Sequence, residues 1–422
     1  MRRTALLIAA ALLAPTADAG WKLKKGKTKA LSVPTGGPPA GDHASNLASI
    51  SGDGRLVCFV SDVAALTGHG AYPERQVVVH DRQTGVRQLV SATAAGAPMS
   101  YTPTIPVISA DGRYVVFSTY APDLPDGISV SDVAGHRDVF RTHLPTGTTI
   151  RVSVTYDGKE PDDDCIAADV SADGRYVLFT SKATNLLPVS FVGPEQVYRI
   201  DLNSFTITRV SMTQTGTRAN ADCDDARISA DGQTMIFRTA ATNLGVVPAP
   251  NRREIWLRDL HTGALEFVSG TKGGAGSEKG ADRAVLSGDG RYVAFSSYSS
   301  DLPGAQSGDV PGLFVRDRKK EKTWRAPVSG KKLFSITPND ASDGRYVSFT
   351  TDRASGFRVH VWDVKKGKVK EVGLNSKGKR GNASSHRAAL SADGKDVVFD
   401  SKSTNLGGDG DGAADVFVRR WK

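Results

Sequence analysis

Two short acidic segments, each with a cysteine, carry the side chains most capable of chemistry in this sequence. Carboxylates this close together could bind a divalent cation through hard oxygen ligands, or a basic peptide. They could also supply the acid and base that cleave a glycan, although nothing in the sequence fixes the separation such a pair needs. A solvated loop surface is the structural alternative. The residues are Asp162, Asp163 and Asp164 before Cys165, and Asp222, Asp224 and Asp225 around Cys223.

A third acidic segment lies near the end of the chain, where Asp409, Asp411 and Asp415 are interspersed with glycines. Oxygen ligands separated by a sharply turning glycine suit Ca²⁺. The loop is shorter than an EF-hand loop and lacks the closing Glu, so a tight Asp-Gly turn explains it equally well. Ca²⁺ is therefore the one cofactor that the sequence suggests.

Cys165 and Cys223 occupy equivalent places, because each lies nine residues before a repeated turn glycine, Gly174 or Gly232. A disulfide between them would need Cα atoms within about 7 Å. An exported protein favours such a bridge chemically, and the bridge and two free thiols remain open alternatives here. Cys58 replaces an aliphatic residue of the repeat and is expected in the core.

These side chains must be positioned by a repeated element. A phrase close to Ser-Ala-Asp-Gly-Arg-Tyr-Val-Val-Phe occurs seven times, at residues 51–59, 109–117, 171–179, 229–237, 287–295, 341–349 and 391–399. Asp-Gly before an apolar run predicts a β-hairpin, because glycine accepts positive φ in the turn. The run is apolar on nearly successive residues, which indicates a strand covered on both faces. A fixed-period repeat predicts one supersecondary unit stacked many times.

Each unit continues with a third strand and, in most units after a Thr-Gly turn, a fourth. Four antiparallel strands repeated radially form a β-propeller blade. The seventh unit stops after three strands, whereas residues 29–33 resemble a fourth strand. We therefore predict an all-β fold, a seven-bladed β-propeller of four-stranded antiparallel blades, closed by the N-terminal strand completing the last blade. Residues 29–422 form this single domain.

The start of the chain has the pattern of a secretory signal peptide. Residues 1–19 combine basic residues, a short apolar run and small residues before Gly20. Cleavage near Ala19 would leave a basic N-terminal segment, residues 20–28, and a periplasmic or secreted protein. No cysteine precedes Cys58, so a lipid anchor is not expected, and no later run has the ~20 apolar residues of a membrane span.

The net charge of +9 is unevenly distributed, with lysines concentrated in the N-terminal segment and the last three blades. Such a field favours a polyanionic partner, and for an exported protein this means an envelope polysaccharide, phospholipid head groups or an acidic protein rather than nucleic acid. A surface that is merely well solvated is the alternative. We expect a monomer.

The repeated phrase resembles the WD-repeat-like propeller units of the bacterial TolB type, in which Ser-x-Asp-Gly-Arg opens each blade. The Ala-Thr-Asn-Leu sequences at 183–186 and 241–244 and the segment 408–419 are similar to secreted bacterial repeats of this kind. The resemblance covers residues 29–422 and implies the fold rather than an activity. TolB also has an N-terminal α/β domain, for which this chain has no room.

The sequence thus favours an exported, non-enzymatic binding scaffold for a protein or envelope polymer, with calcium as a stabilising ion to be tested. It contains no G-x-S-x-G, H-E-x-x-H, phosphate-binding glycine loop or C-x-x-C motif. The alternative hypothesis is a hydrolase or lyase that acts on a polar or glycan substrate through the carboxylates at the mouth of the channel.

Overall fold

The structure, a computed structural model, describes residues 21–422 except 35–43, 69–73, 121, 125–134, 191, 247–251, 307–309, 329–332, 343 and 409. It confirms the predicted architecture, a seven-bladed β-propeller of four-stranded antiparallel sheets. Strand β1 (Thr28–Ala30) is followed by blade 1, which contains β2 to β5: Ser45–Ile50, Leu56–Ser61, Gln76–Asp81 and Arg87–Leu89. Blade 2 contains β6 to β9: Val107–Ile108, Tyr114–Thr119, Asp138–His143 and Thr148–Arg151.

The next three blades have the same order of strands. Blade 3 contains β10 to β13: Cys165–Val170, Tyr176–Ser181, Gln196–Asp201 and Thr206–Arg209. Blade 4 contains β14 to β17: Cys223–Ile228, Thr234–Thr239, Glu254–Asp259 and Leu265–Phe267. Blade 5 contains β18 to β21: Ala284–Leu286, Tyr292–Ser297, Gly312–Asp317 and Lys322–Arg325.

The last two blades complete the ring. Blade 6 contains β22 to β25: Leu333–Ala341, Tyr346–Arg353, Arg358–Asp363 and Lys368–Glu371. Blade 7 contains β26 to β28: Ser385–Leu390, Asp396–Ser401 and Asp415–Arg420. Two short 3₁₀ turns, Ala64–Leu66 and Arg318–Lys320, lie in the connections. In the described part of the chain, no helix has the length and apolar character needed to cross a membrane.

The N-terminal strand closes the ring as predicted. Strand β1 pairs antiparallel with β28, and Lys29 lies opposite Val418. The Ser32 hydroxyl donates to Asp415 Oδ1 over 2.6 Å and accepts from the backbone N–H of Val416 at 3.0 Å. The same serine bond joins the fourth strand to the third in blades 1 to 4, in the pairs Ser91–Gln76, Ser153–Asp138, Ser211–Gln196 and Ser269–Glu254. The N-terminal segment therefore serves as the fourth strand of blade 7.

The antiparallel order gives the ring two different ends. Turns between the first and second strands and between the third and fourth strands lie at one end, which we call the turn face. Connections between the second and third strands and between consecutive blades lie at the other, the loop face. The two acidic segments with cysteines begin or precede first strands, so they lie on the loop face.

Residues of the repeated phrase form the hydrogen bonds that stabilise each turn. In blade 1, Asp53 accepts hydrogen bonds from the Ser51 hydroxyl at 2.6 Å and from the backbone N–H of Arg55 at 2.9 Å. The Arg55 guanidinium then forms two bonds to Asp81 at the end of β4. Asp53 is therefore a turn residue, as the sequence indicated, because its oxygen replaces backbone partners that the hairpin turn leaves open.

Blades contact one another through the same phrase. Its final Phe is fully buried in all seven blades, and each apolar cluster combines residues from two adjacent blades. Backbone hydrogen bonds of 2.8 to 3.1 Å connect successive turns around the channel, with donor and acceptor pairs Gly52–Ala110, Asp111–Ala172, Ala172–Ala230, Ala230–Gly288, Gly288–Ser342 and Ala392–Gly52. Burying a Phe contributes about 1.5 to 3 kcal/mol, so the phrase supplies much of the cohesion between blades.

Candidate functional site

Among the residues that the structure describes, the two acidic segments on the loop face do not share one group of potential metal ligands. Among the described residues, His136, Asp163 and Asp164 are the group of three or more that brings potential ligand atoms within 4.8 Å of one another. None of the acidic residues around Cys223 belongs to that group. Each segment bonds to its own inter-blade junction, and a site shared by both segments at the channel mouth stays a prediction.

Three of the predicted aspartates satisfy backbone groups. Asp162 Oδ1 accepts the N–H of Thr184 at 2.6 Å. Asp164 Oδ1 accepts the N–H of Arg137 at 2.8 Å, across the junction of blades 2 and 3. Asp222 accepts from Glu195 in the same way across the next junction, also at 2.8 Å. All three carboxylates hold loops in place; Asp164 and Asp222 are half-buried, where polar groups are usually hydrogen-bonded, and Asp162 is exposed.

His136, Asp163 and Asp164 are the described residues that could hold a metal ion. All three are half-buried, and the Tyr120 hydroxyl donates to Asp164 Oδ2 over 3.0 Å. One imidazole nitrogen and two carboxylates suit Mn²⁺ or Zn²⁺ better than Ca²⁺. The Arg137 guanidinium lies 4.6 Å from the centre of the Tyr120 ring, so a positive charge already lies close by.

The proposed calcium loop is described only in part, since Asp409 lies outside the described residues. Asp411 Oδ1 accepts the N–H of Ala413 at 2.8 Å. Asp415 is buried and bonds to Ser32 in the ring closure. Calcium binding stays a prediction, and Asp415 has a structural role with or without it.

Of the two alternatives left open for Cys165 and Cys223, the structure has the free thiols. Cys165 and Cys223 are free and fully buried, and they lie in different apolar clusters. The Cys165 thiol contacts the Ser181 hydroxyl of its own blade at 3.4 Å. Equivalent positions of neighbouring blades point into separate inter-blade cores, which sequence spacing alone does not reveal. Burial raises the pKa of the Cys165 thiol and raises that of Cys223 to about 12.

A basic cleft of about 400 Å³ opens on the loop face between blades 4 and 5. Its positive charges come from Arg238 on β15, from Arg252 and Arg253 before β16, and from Lys279 before β18. The remaining lining residues are Gly280, Ala281, Asp282, Ser297 and Tyr298. Gly280 has a φ of +72°, and a Cβ there would lie 2.5 Å from the carbonyl oxygen of Arg253. This close approach joins the two blades beneath the cleft.

Asp224 binds two of the arginines that line the cleft. Arg238 donates to both of its carboxylate oxygens, at 2.8 and 3.0 Å, and Arg253 forms a further ion pair with it. Burial alone would raise the pKa of Asp224, but the two guanidinium groups outweigh burial and lower it. Arg238 also contacts Asp282 at 3.1 Å. Among the described residues, exposed Arg252 has no acidic partner, so its guanidinium is available to a ligand.

Sequence reasoning missed this cleft, although the repeats carried a signal. At the position of Arg238, four other blades have a small hydroxyl residue in the second strand: Ser118, Thr180, Ser296 and Thr350. A long cation where the repeat places a hydroxyl marks a local departure from the scaffold. Asp400 in blade 7 is the other charged departure at this position.

Other carboxylates form hydrogen bonds between the first strands of consecutive blades, which surround the channel. Asp169, Asp225 and Asp340 each accept a backbone N–H from the first strand of the following blade, at 3.0, 2.8 and 2.7 Å. Burial raises the pKa of Asp169 and raises that of Asp340 to about 6. Asp225 was expected in an acidic ligand site, but its backbone bond gives it this bridging role.

Comparisons with known proteins concern the fold. No family model and no curated protein sequence matches the chain. The chain is similar to an oligogalacturonate lyase in complex with manganese, with 12% sequence identity, a TM-score of 0.58, and coverage of 93% of this chain and 92% of that chain. At this identity the likeness shows a shared propeller architecture and nothing about activity.

The chain is also similar to two further solved structures. The β-propeller domain of the Trilobed protease from Pyrococcus furiosus is 14% identical, with a TM-score of 0.55 and coverage of 90% of this chain and 94% of that chain. That domain has an open velcro topology, whereas β1 closes the ring here. TolB from Acinetobacter baumannii is 16% identical, with a TM-score of 0.44 over 79% of this chain and 64% of that chain.

Proposed function

We propose that this chain is an exported, non-enzymatic β-propeller scaffold that binds an acidic envelope polymer in the basic cleft between blades 4 and 5. The observation that carries this proposal is the exposed Arg252 beside Arg253, Arg238 and Lys279 in one concave site. Guanidinium groups bind carboxylates in a planar, bidentate manner. A chain of acidic sugars presents such groups at regular intervals.

The fixed and free charges have separate roles in this proposal. Asp224 holds Arg238 and Arg253 in place through bonds to both guanidinium groups. A ligand carboxylate would then meet preorganised cations and lose little affinity to side-chain ordering. Exposed Arg252 provides the mobile part of the contact, and Lys279, which pairs with Glu278 at 3.8 Å, would add a second positive charge at the rim.

Binding is better supported than catalysis by the groups in the cleft. Asp224 is a poor general acid because its pKa is lowered and both oxygens are bonded to arginine. The Tyr298 hydroxyl donates to the carbonyl of Phe334 at 2.7 Å. Burial, with Asp282 and Asp352 nearby, raises the pKa of Tyr298, which works against its use as a base at neutral pH.

A lyase acting on an acidic glycan is the second candidate. The observation in its favour is the cleft itself, since elimination beside a carboxylate needs a cation to neutralise that carboxylate. The oligogalacturonate lyases among the fold neighbours act on substrates of this charge, as their names state. Lyase activity would create an unsaturated product whose new double bond absorbs in the ultraviolet.

Calorimetric titration with short oligogalacturonates, against neutral oligosaccharides of equal length, tests the binding proposal. We expect binding of the acidic probe alone and at least a tenfold weaker affinity in Arg252→Gln/Lys279→Gln, because two charged contacts of about 1 kcal/mol each are lost. Lys319→Gln/Lys320→Gln removes equal charge from the turn face and should bind normally. Equal loss in both variants would overturn the proposal, and ultraviolet absorbance growing with time would establish the lyase instead.

A further inference from the structure

The turn face carries a one-sided arc of lysines over blades 5, 6 and 7. Between the third and fourth strands, the turns of blades 2 to 4 contain no lysine or arginine, as in His261-Thr262, and Arg82 in the blade 1 turn is buried. The same turn in blade 5 carries Lys319, Lys320 and Lys322, and in blade 6 it carries Lys365, Lys366 and Lys368. All six side chains are exposed.

The N-terminal segment extends this arc to blade 7. Gly26 donates its N–H to the carbonyl of Arg420 at 2.6 Å, and Arg420 donates to the carbonyl of Lys27 at 3.1 Å. Arg420 ends β28 at the turn face, and Trp21 lies 5.2 Å from the Arg82 guanidinium on the turn face of blade 1. Exposed lysines therefore continue around the rim; they are Lys22, Lys24, Lys25 and Lys27.

The arc is not neutralised within the molecule. Several acidic residues near it are already paired, Asp317 with Arg291, Asp363 with Arg345 and Asp393 with Lys395. Exposed Glu321 lies between Lys320 and Lys322 and offsets only one of the ten positive charges. None of the ten arc lysines has a carboxylate within ion-pair distance among the described residues. A broad front of ammonium groups in large excess over carboxylates attracts polyanions over about one Debye length, roughly 8 Å at physiological salt.

We infer that the lysine arc docks the propeller onto an anionic phospholipid surface. Lysine ammonium groups are hydrated point charges that need no fixed partner geometry, unlike the guanidinium groups of the cleft. They stand on short, projecting turns that span three adjacent blades, which suits a flat array of head groups. Docking through the turn face leaves the loop face, and with it the basic cleft, directed away from the bilayer. This inference does not depend on what the cleft binds.

Co-sedimentation with vesicles tests the inference directly. The intact chain should bind vesicles of equal parts phosphatidylcholine and phosphatidylglycerol, should not bind phosphatidylcholine alone, and should be released by high salt. Replacing Lys319, Lys320, Lys365 and Lys366 with Gln should weaken partitioning at least about 100-fold, because each lysine near an anionic membrane contributes independently.

The matched control removes two charges from the loop face, through Lys182→Gln and Lys402→Gln, and is compared with the arc variant Lys319→Gln/Lys365→Gln, which should weaken partitioning about tenfold or more. Both control lysines follow second strands and are exposed, and the control should partition like the intact chain. Both variants change only surface side chains, and equal melting temperatures would confirm folding. No binding to phosphatidylglycerol vesicles, or equal loss in the control, would overturn the inference. So would an arc variant that still binds vesicles but loses an acidic polysaccharide.

Discussion

Replacing Gly174 with alanine should destabilise the ring through one contact between blades 2 and 3. Gly174 has a φ of +71°, and a Cβ there would lie 2.1 Å from Cδ2 of Tyr114. The left-handed conformation costs an alanine about 1 to 2 kcal/mol, and the overlap with the ring adds about 1 to 3 kcal/mol. We expect the variant to lose about 2 to 5 kcal/mol of unfolding free energy.

Gly85→Ala is the matched control for this change. Gly85 has a φ of +78°, and nothing lies within 4 Å of its hypothetical Cβ. This variant carries the conformational cost without the overlap, so it should lose only about 1 to 2 kcal/mol. The difference between the two variants isolates the contact with Tyr114.

Urea denaturation followed by fluorescence measures both variants and a double-mutant cycle. In a Tyr114→Ala background, Gly174→Ala should cost no more than Gly85→Ala does in the intact chain, since the ring is gone. The same cost should appear at Gly232, where a Cβ would lie 2.2 Å from Tyr176. Equal losses for Gly174→Ala and Gly85→Ala would refute the idea that the tyrosine locks successive blades.

Three further predictions concern buried groups. Burial raises the pKa of Asp400 to about 6 from its ordinary 3.8. The folded state therefore holds this proton more tightly than the unfolded state, and the free energy of unfolding falls as pH rises through 6. Between about pH 5 and about pH 8 the loss of unfolding free energy is about 1 to 2 kcal/mol. Asp400→Asn should remove that part of the decline in chemical denaturation, leaving the part due to Asp340, and an unchanged pH profile would contradict the assignment. Ser32→Ala should cost about 1 to 3 kcal/mol because the hydrogen bond from Ser32 to buried Asp415 is lost. Ser211→Ala, which removes the same bond within blade 3, should cost a similar amount, and a neutral Ser32→Ala would argue against the ring closure. Thiol titration should find all three cysteines in the denatured, unreduced protein and very slow reaction in the native protein, and a count of one would restore the disulfide.

Much of the fold could be predicted because its determinants are local. The Asp-Gly turn, the doubly covered strand that follows and the unmatched strands at the chain ends each have a signature in neighbouring residues. The roles of Asp53 in the turn and of Phe59 in the core follow from the same periodicity. The candidate site could not be predicted in this way, because Arg238 and Arg253 come from different parts of blade 4 and meet Lys279 only when blade 5 packs against it.

The acidic segments show most clearly that the sequence does not reveal the partners of a carboxylate. Their carboxylates looked available in the sequence, but Asp164 and Asp222 bond to backbone groups of the preceding blade, and Asp224 is neutralised by two arginines. Partners of this kind lie 14 to 29 residues away in the chain. No local pattern specifies them.

The sequence alone determined the repeat, the number of blades and the closure by the N-terminal strand, because turn chemistry and strand burial act between neighbouring residues. Only the tertiary structure decided which charges remain free. It buried Cys165 and Cys223 in separate inter-blade cores. Most of the predicted carboxylates form hydrogen bonds or ion pairs within or between blades. Among the described residues, Arg252 and the lysines of the arc have no carboxylate within ion-pair distance. Charge pairing depends on distances across blade junctions, and those distances exist only in the closed ring.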